Sequence, residues 1–167
     1  NDDMFLIKKS GPNDWFVDDK AVLTGSWAKT YNIQPLKKIA QVLKSALKSR
    51  PSYNGAQSKA ANIAGFNKKY FKSYHSGRPQ IKSVIKNFYD NNPEVLKTQL
   101  SYKFRNDKQY IPYSLCWHLL IKEGQYEPAD KNRLIEIEKI RNLGPKQLKK
   151  ILLDLDRNIT ARFLNIQ

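Results

Sequence analysis

Two histidines, one cysteine and a few aspartates are the side chains from which a catalytic centre would have to be built. Cys116 and His118 are two residues apart. On a helix, positions i and i+2 face different directions, so they form no local nucleophile–base pair. His118 falls in the most apolar stretch of the chain, the setting of a hydrogen-bonded core histidine, and His75 has no acid or cysteine near it in sequence. Asp14, Asp18 and Asp19 cluster near the N-terminus with no matching carboxylate or histidine group elsewhere, so this acidic stretch reads as a solvated or partner-facing segment. There is no Cys/His group with zinc spacing, no Walker glycine–lysine loop and no dinucleotide fingerprint. Acidic residues are scarce where basic ones are dense, which leaves a two-metal nuclease centre few candidates. The expectation is a non-catalytic protein with neither metal nor cofactor.

What the chain has in quantity is positive charge. Thirty Lys and Arg stand against fifteen Asp and Glu, a net charge of +15. Residues 1–19 carry two basic and five acidic groups, residues 20–126 nineteen and four, and residues 127–167 nine and six. Between Asp19 and Asp90 there are fourteen Lys and Arg and no acid. A stretch of one sign repels itself unless a polyanion neutralises it. Nucleic acid is that polyanion in the first reading, and an acidic protein partner in a second.

The elements that would position these charges read as helices. Pro35 opens a helix whose buried stripe is Leu36, Ile39, Ala40, Leu43, Ala46 and Leu47. At about 100° per residue, Lys37, Gln41, Lys44 and Lys48 then share one exposed line that could follow a phosphate backbone, with Arg50 just beyond. From Gln57 to Tyr74, small residues (Ala60, Ala61, Ala64, Gly65) permit close helix packing. Lys59, Lys68, Lys69 and Lys72 accompany aromatics in the same segment. Tyr70 and Tyr74 are the candidates for stacking on unpaired bases. After the break at Gly77-Arg78-Pro79, Ile81, Val84, Ile85 and Phe88 face inward, with Lys82 and Lys86 outside. Val95, Leu96 and Leu100 continue inward after Pro93. Pro112 opens a nearly all-apolar helix from Tyr113 to Glu123, expected to be central to the core. No stretch shows two-residue alternation. The expected fold is therefore all-α: a compact basic bundle of about seven helices over residues 26–167, preceded by an irregular acidic arm over residues 1–25.

The last two helical patterns meet at a short turn. Leu134, Ile137 and Ile140 recur at three-residue steps, and Leu148, Ile151, Leu152 and Leu155 at three- and four-residue steps. Between them, Asn142 and Gly144 tolerate positive φ and Pro145 suits a first helical turn. Free N–H groups and Lys146 at the tip would suit an anion. Locally, Ile140–Leu152 resembles a helix-hairpin-helix motif, whose glycine-containing turn grips a nucleic-acid phosphate, although the family usually has glycine where this chain has Asn142. A plain αα-hairpin is the other reading.

The overall profile also resembles a family. An acid-free basic half (Lys20–Tyr89), the apolar Tyr113–Ile121 helix and the closing hairpin resemble the small subunit of CRISPR interference complexes, which also occurs as the C-terminal helical part of the large subunit. The resemblance implies a basic helical bundle that supports guide RNA and displaced DNA beside other subunits of a ribonucleoprotein. A ribosomal or viral nucleocapsid RNA-binding protein is the alternative within nucleic-acid binding. With one cysteine no intramolecular disulfide forms, which fits the cytoplasm. No apolar run approaches the roughly 20 residues of a membrane helix, and no signal peptide opens the chain, whose first residue is Asn1. A trimmed chain, a processed one or a piece of a larger protein would each begin so.

Overall fold

Asp18 and Asp19 decide how the chain begins to fold. Both have positive φ, 47° and 61°, a conformation that Asp adopts more readily than most residues and that a two-residue hairpin turn requires at both positions. Strand β2 (Phe16–Val17) consequently folds back on β3 (Lys20–Leu23), with Val17 opposite Lys20 and Phe16 opposite Ala21. The computed structural model describes residues 3–30, 52–129, 133–137, 143–157 and 161–166. Within them lie eight strands in three sheets and five α-helices.

The chain divides into two units. The first comprises Asn1–Gly25, Ser73–Pro79 and Tyr126–Gln167, and the second Ser26–Lys72 and Gln80–Gln125. In sequence the second unit thus comes in two segments, separated by Ser73–Pro79 of the first.

In the first unit, β3 pairs in parallel with β6 (Tyr126–Pro128). A second sheet runs in the order β1 (Asp3–Leu6), β8 (Phe163–Ile166), β7 (Leu134–Ile137). There β1 is antiparallel to β8 and β7 parallel to it. A parallel pair needs a crossover, and helix α5 (Pro145–Arg157) lies between β7 and β8 in the sequence to supply it. Asp14, in a short 3₁₀ turn (Pro12–Asp14), ties these elements together. Its carboxylate accepts from the Gly11 N–H at 2.9 Å and from Arg162 Nε at 3.2 Å, while Arg133 donates to its carbonyl. The Gly11 N–H and the two guanidinium groups hold the Asp14 carboxyl below its ordinary value. Beside it, the Trp15 ring meets Phe163 edge-on at 5.4 Å. Gly77 lies under that indole: a Cβ there would fall 1.7 Å from Trp15 Cζ3.

The second unit is built on helices and one two-stranded ribbon. Ser52 caps α1 (Tyr53–Ile63), its hydroxyl accepting from the Gly55 N–H at 3.3 Å. Strand β4 (Gly25–Lys29) pairs with β5 (Lys69–Ser73). Helices α2 (Lys82–Asn91) and α3 (Pro93–Leu100) follow, then α4 (Pro112–Lys122). Pro93 and Pro112 open their helices where a missing N–H costs nothing. The core gathers on α4, whose Leu115, Cys116, Trp117, His118 and Leu120 are fully buried; it packs on α1, where Ala60 and Ala61 are fully buried, and meets Phe71 of β5.

The all-α expectation is overturned: the fold is mixed α/β. Residues 1–25, expected as an irregular arm, form β1, β2, β3 and the start of β4. Residues 69–73, read as the end of a helix, form β5, because Gly65 at φ 99° ends α1 and the Tyr-Phe pair that follows suits a strand. The step Leu134/Ile137 is also compatible with the alternation Ile135/Ile137, and the strand prevails because β8 pairs with it. The helix expected after Pro35, with Lys37, Lys44, Lys48 and Arg50, lies outside the described residues. Among the described residues no helix is long and apolar enough to cross a membrane.

Candidate nucleic-acid interface

Strand β4 alternates: Trp27 and Lys29 are exposed, Ser26 and Ala28 half-buried. Trp27 therefore turns its indole outward and is 40% exposed. The ring rests on aromatic neighbours of its own unit, Phe66 at 5.8 Å and Phe71 at 5.7 Å between centroids, the latter edge-on. Over the ring stands the Lys69 ammonium, 4.3 Å from its centroid. A cation so placed on an exposed indole contributes roughly 0.5–1 kcal/mol, too little to hold the ring against a better stacking partner.

The floor beneath Trp27 is rigid, and His118 is the reason. Its Nε2 accepts the Phe71 N–H at 2.9 Å, so Nδ1 carries the proton and donates to the Ser114 carbonyl at 2.6 Å. The Phe66 ring packs edge-on against this imidazole at 5.4 Å, and Phe71 against Trp117 at 6.1 Å. Burial pushes the His118 pKa down to about 4, so the ring is neutral at physiological pH. His118 thus fastens β5 to α4 and has no exposed nitrogen for chemistry. Burial likewise pushes the Cys116 thiol up, away from the reactive thiolate.

A second anchor holds the cations. The Thr30 hydroxyl donates to the Asn67 carbonyl at 2.8 Å and the Thr30 N–H to the Lys68 carbonyl at 3.1 Å. This fixes the loop entering β5 beside the end of β4. Lys29, Lys68 and Lys69 are all exposed and make no ion pair among the described residues. An outward indole on an aromatic floor, with the Lys69 ammonium over it and Lys29 and Lys68 exposed on the same strand pair and its loop, is equipped to stack an unpaired base and neutralise its phosphates.

Of the residues singled out in the sequence, Lys69 is brought to the Trp27 ring, and Lys68 is exposed in the loop that enters β5. Lys72 is half-buried and points to the other side of β5, and Lys59 is half-buried on α1. Lys82 and Lys86 are exposed on α2, where Lys86 pairs with Asp90. Tyr70 is 2% exposed, which closes its ring to any base. Tyr74 and Arg78 belong to the first unit, where the Tyr74 N–H donates to the Thr24 carbonyl at 3.1 Å.

The turn before α5 is likewise different from the one expected. Leu134–Ile137, expected to lie in the first helix of the hairpin, forms strand β7, and residues 138–142, Asn142 among them, lie outside the described residues. Gly144 does not take positive φ, and its N–H is occupied by the Gln147 side chain at 2.8 Å. Lys146 is exposed at the first turn of α5. The residues missed from the sequence are Trp27, Lys29 and Phe66. The alternation Ser26-Trp27-Ala28-Lys29 was their signal, hidden because four residues are too few to separate from a helical pattern.

Among the described residues no group of three or more His, Cys, Asp or Glu is placed to hold a metal ion. Comparison with protein-family models, with curated proteins and with solved structures gives no match.

Proposed function

We propose that this protein binds single-stranded nucleic acid, RNA or DNA, on the Trp27 face of its second unit, as a binding protein rather than an enzyme. The observation that carries the reading is the exposed indole of Trp27 with the ammonium of Lys69 over it, beside Lys29 and Lys68. An acidic peptide would satisfy the lysines but would give the outward indole no role, whereas a single strand uses both, base on ring and phosphate on ammonium. The absence of any acidic residue between Asp19 and Asp90 keeps this face free of competing carboxylates from its own sequence neighbourhood. The helical-bundle profile behind the resemblance to a CRISPR small subunit does not describe this mixed fold, so the reading names no particular assembly.

The test is fluorescence anisotropy of a labelled homopolymeric single strand titrated with protein. Trp27→Ala should weaken binding by about tenfold to a hundredfold, the usual worth of one stacked base. If Lys29, Lys68 and Lys69 each neutralise one phosphate, log affinity should fall against log salt with a slope of about −2. An affinity indifferent to salt, or unchanged in Trp27→Ala, would remove the proposal. Equal affinity for an acidic peptide of matched charge would replace it with a protein-binding role.

A further inference from the structure

The loop after α3 turns apolar side chains to solvent. Phe104 is 78% exposed, and Leu100 at the end of α3, expected to face the core, is 72% exposed. Exposed pairs of this kind forfeit the stabilisation that burial of apolar area brings, so a loop free to collapse would cover them. This one is held open at its base. Gln99 accepts from the Tyr110 N–H at 3.2 Å and donates to the Tyr110 carbonyl at 3.0 Å. Gln109 donates to the Gln99 carbonyl at 3.1 Å and accepts from the Asn106 N–H at 2.9 Å. Asn106 in turn accepts from the Lys108 N–H at 2.9 Å. Buried Tyr110 anchors this set, its hydroxyl donating to Tyr89 at 3.0 Å.

The charges around the finger say what it meets. Lys97, Lys103, Arg105 and Lys108 are exposed, and from Val95 to Lys122 the one acid is Asp107. The Lys103 ammonium stands 5.7 Å from the Phe104 ring centroid. A partner complementary to this loop would be anionic and offer apolar surface between its charges.

We propose that Leu100 and Phe104 form a wedge that inserts against or between the bases of a nucleic acid while the four cations take the flanking phosphates. This rests on the nucleic-acid reading of the same unit and extends it from stacking on one outward ring to opening a base step. An anionic lipid surface offers the same chemistry. Yet two side chains bury less than one acyl chain, and one acyl chain already anchors a protein only marginally.

Because Phe104 and Leu100 are exposed, Phe104→Ala and Leu100→Ala keep the fold, which an unchanged melting temperature checks. The probe is an oligonucleotide carrying 2-aminopurine, whose emission rises when its neighbours unstack. Wild type should raise the emission on binding. Phe104→Ala should lose that rise and about tenfold in affinity, with Leu100→Ala showing a smaller loss of both. Full emission change and affinity in Phe104→Ala would overturn the wedge, and if Trp27→Ala still weakened binding the reading of the Trp27 face would stand. A wild type that binds no oligonucleotide removes both. Retained oligonucleotide binding with lost sedimentation on phosphatidylserine vesicles in Phe104→Ala would overturn the wedge in favour of a membrane contact.

Discussion

The surroundings of Trp15 and Trp27 treat charge in opposite ways. In the first unit, three cations are paired with carboxylates. Arg133 and Arg162 converge on Asp14, and Lys20 pairs with Glu127 at 2.9 Å across the parallel β3–β6 pair. The Glu127 carboxylate raises the Lys20 pKa from its ordinary value. In the second unit, Lys29, Lys68 and Lys69 stand exposed beside an exposed indole, and Lys103 and Arg105 beside an exposed phenyl ring. The tryptophans repeat the contrast. Trp15 is packed against Gly77 and Phe163, while Trp27 is propped outward by Phe66 and Phe71. Equal residue types thus serve architecture in one place and an open surface in the other. What separates them is whether a carboxylate or a glycine faces them.

The largest break in this contrast comes from the floor under Trp27. Trp117 is fully buried between Tyr113 and Phe71. Trp117→Ala should cost about 3–5 kcal/mol of stability, read from the urea midpoint, and should weaken oligonucleotide binding through the lost support of Phe71. A cost below about 1 kcal/mol would place the ring outside the core.

Acid attacks the same floor. The His118 pKa in the fold is about 4, below its ordinary 6.5, so between these values the unfolded chain binds more protons and stability falls as pH falls. The neutral ring's contribution is complete above pH 6.5 and is lost progressively toward pH 4, on the order of 3 kcal/mol in all. Asp14, held below its ordinary 3.8, adds its loss only at lower pH. Urea midpoints across this range should slope in the wild type and flatten in His118→Gln.

Gly77→Ala sharpens the comparison from the other side. The new methyl would sit 1.7 Å from Trp15 and 2.9 Å from Phe163, so the indole must leave its place. A loss of about 1–3 kcal/mol is expected, with oligonucleotide affinity unchanged when measured well below the melting temperature. A parallel loss of affinity would mean that the first unit takes part in binding.

Helices with strong periodicity and a proline start were legible from the sequence. Pro93, Pro112 and Pro145 each open one, and the burial of Leu115, Trp117 and Leu120 follows from their apolar run. The strands were not legible, because each is two to five residues long. Pairing decided them, and β7 with β8 or β3 with β6 are partners about thirty to a hundred residues apart that no local window contains. Of the proposed binding face, Lys68 and Lys69 were singled out by their charge. Tyr70 was misplaced because both sides of β5 are covered there, Tyr70 and Phe71 being 2% and 5% exposed, and Trp27 was missed because its outward turn depends on β4 being a strand.

The central claim is that Trp27 stacks on nucleic-acid bases, and tryptophan emission tests it most directly. Of the three tryptophans, Trp117 is fully buried and Trp15 is packed on Phe163, while Trp27 is exposed. Titrating a single-stranded oligonucleotide into the protein should quench the emission to saturation. The quench should persist in Trp15→Phe and vanish in Trp27→Phe. Saturable binding by anisotropy with no quench in the wild type, or an equal quench in Trp27→Phe, would contradict the account.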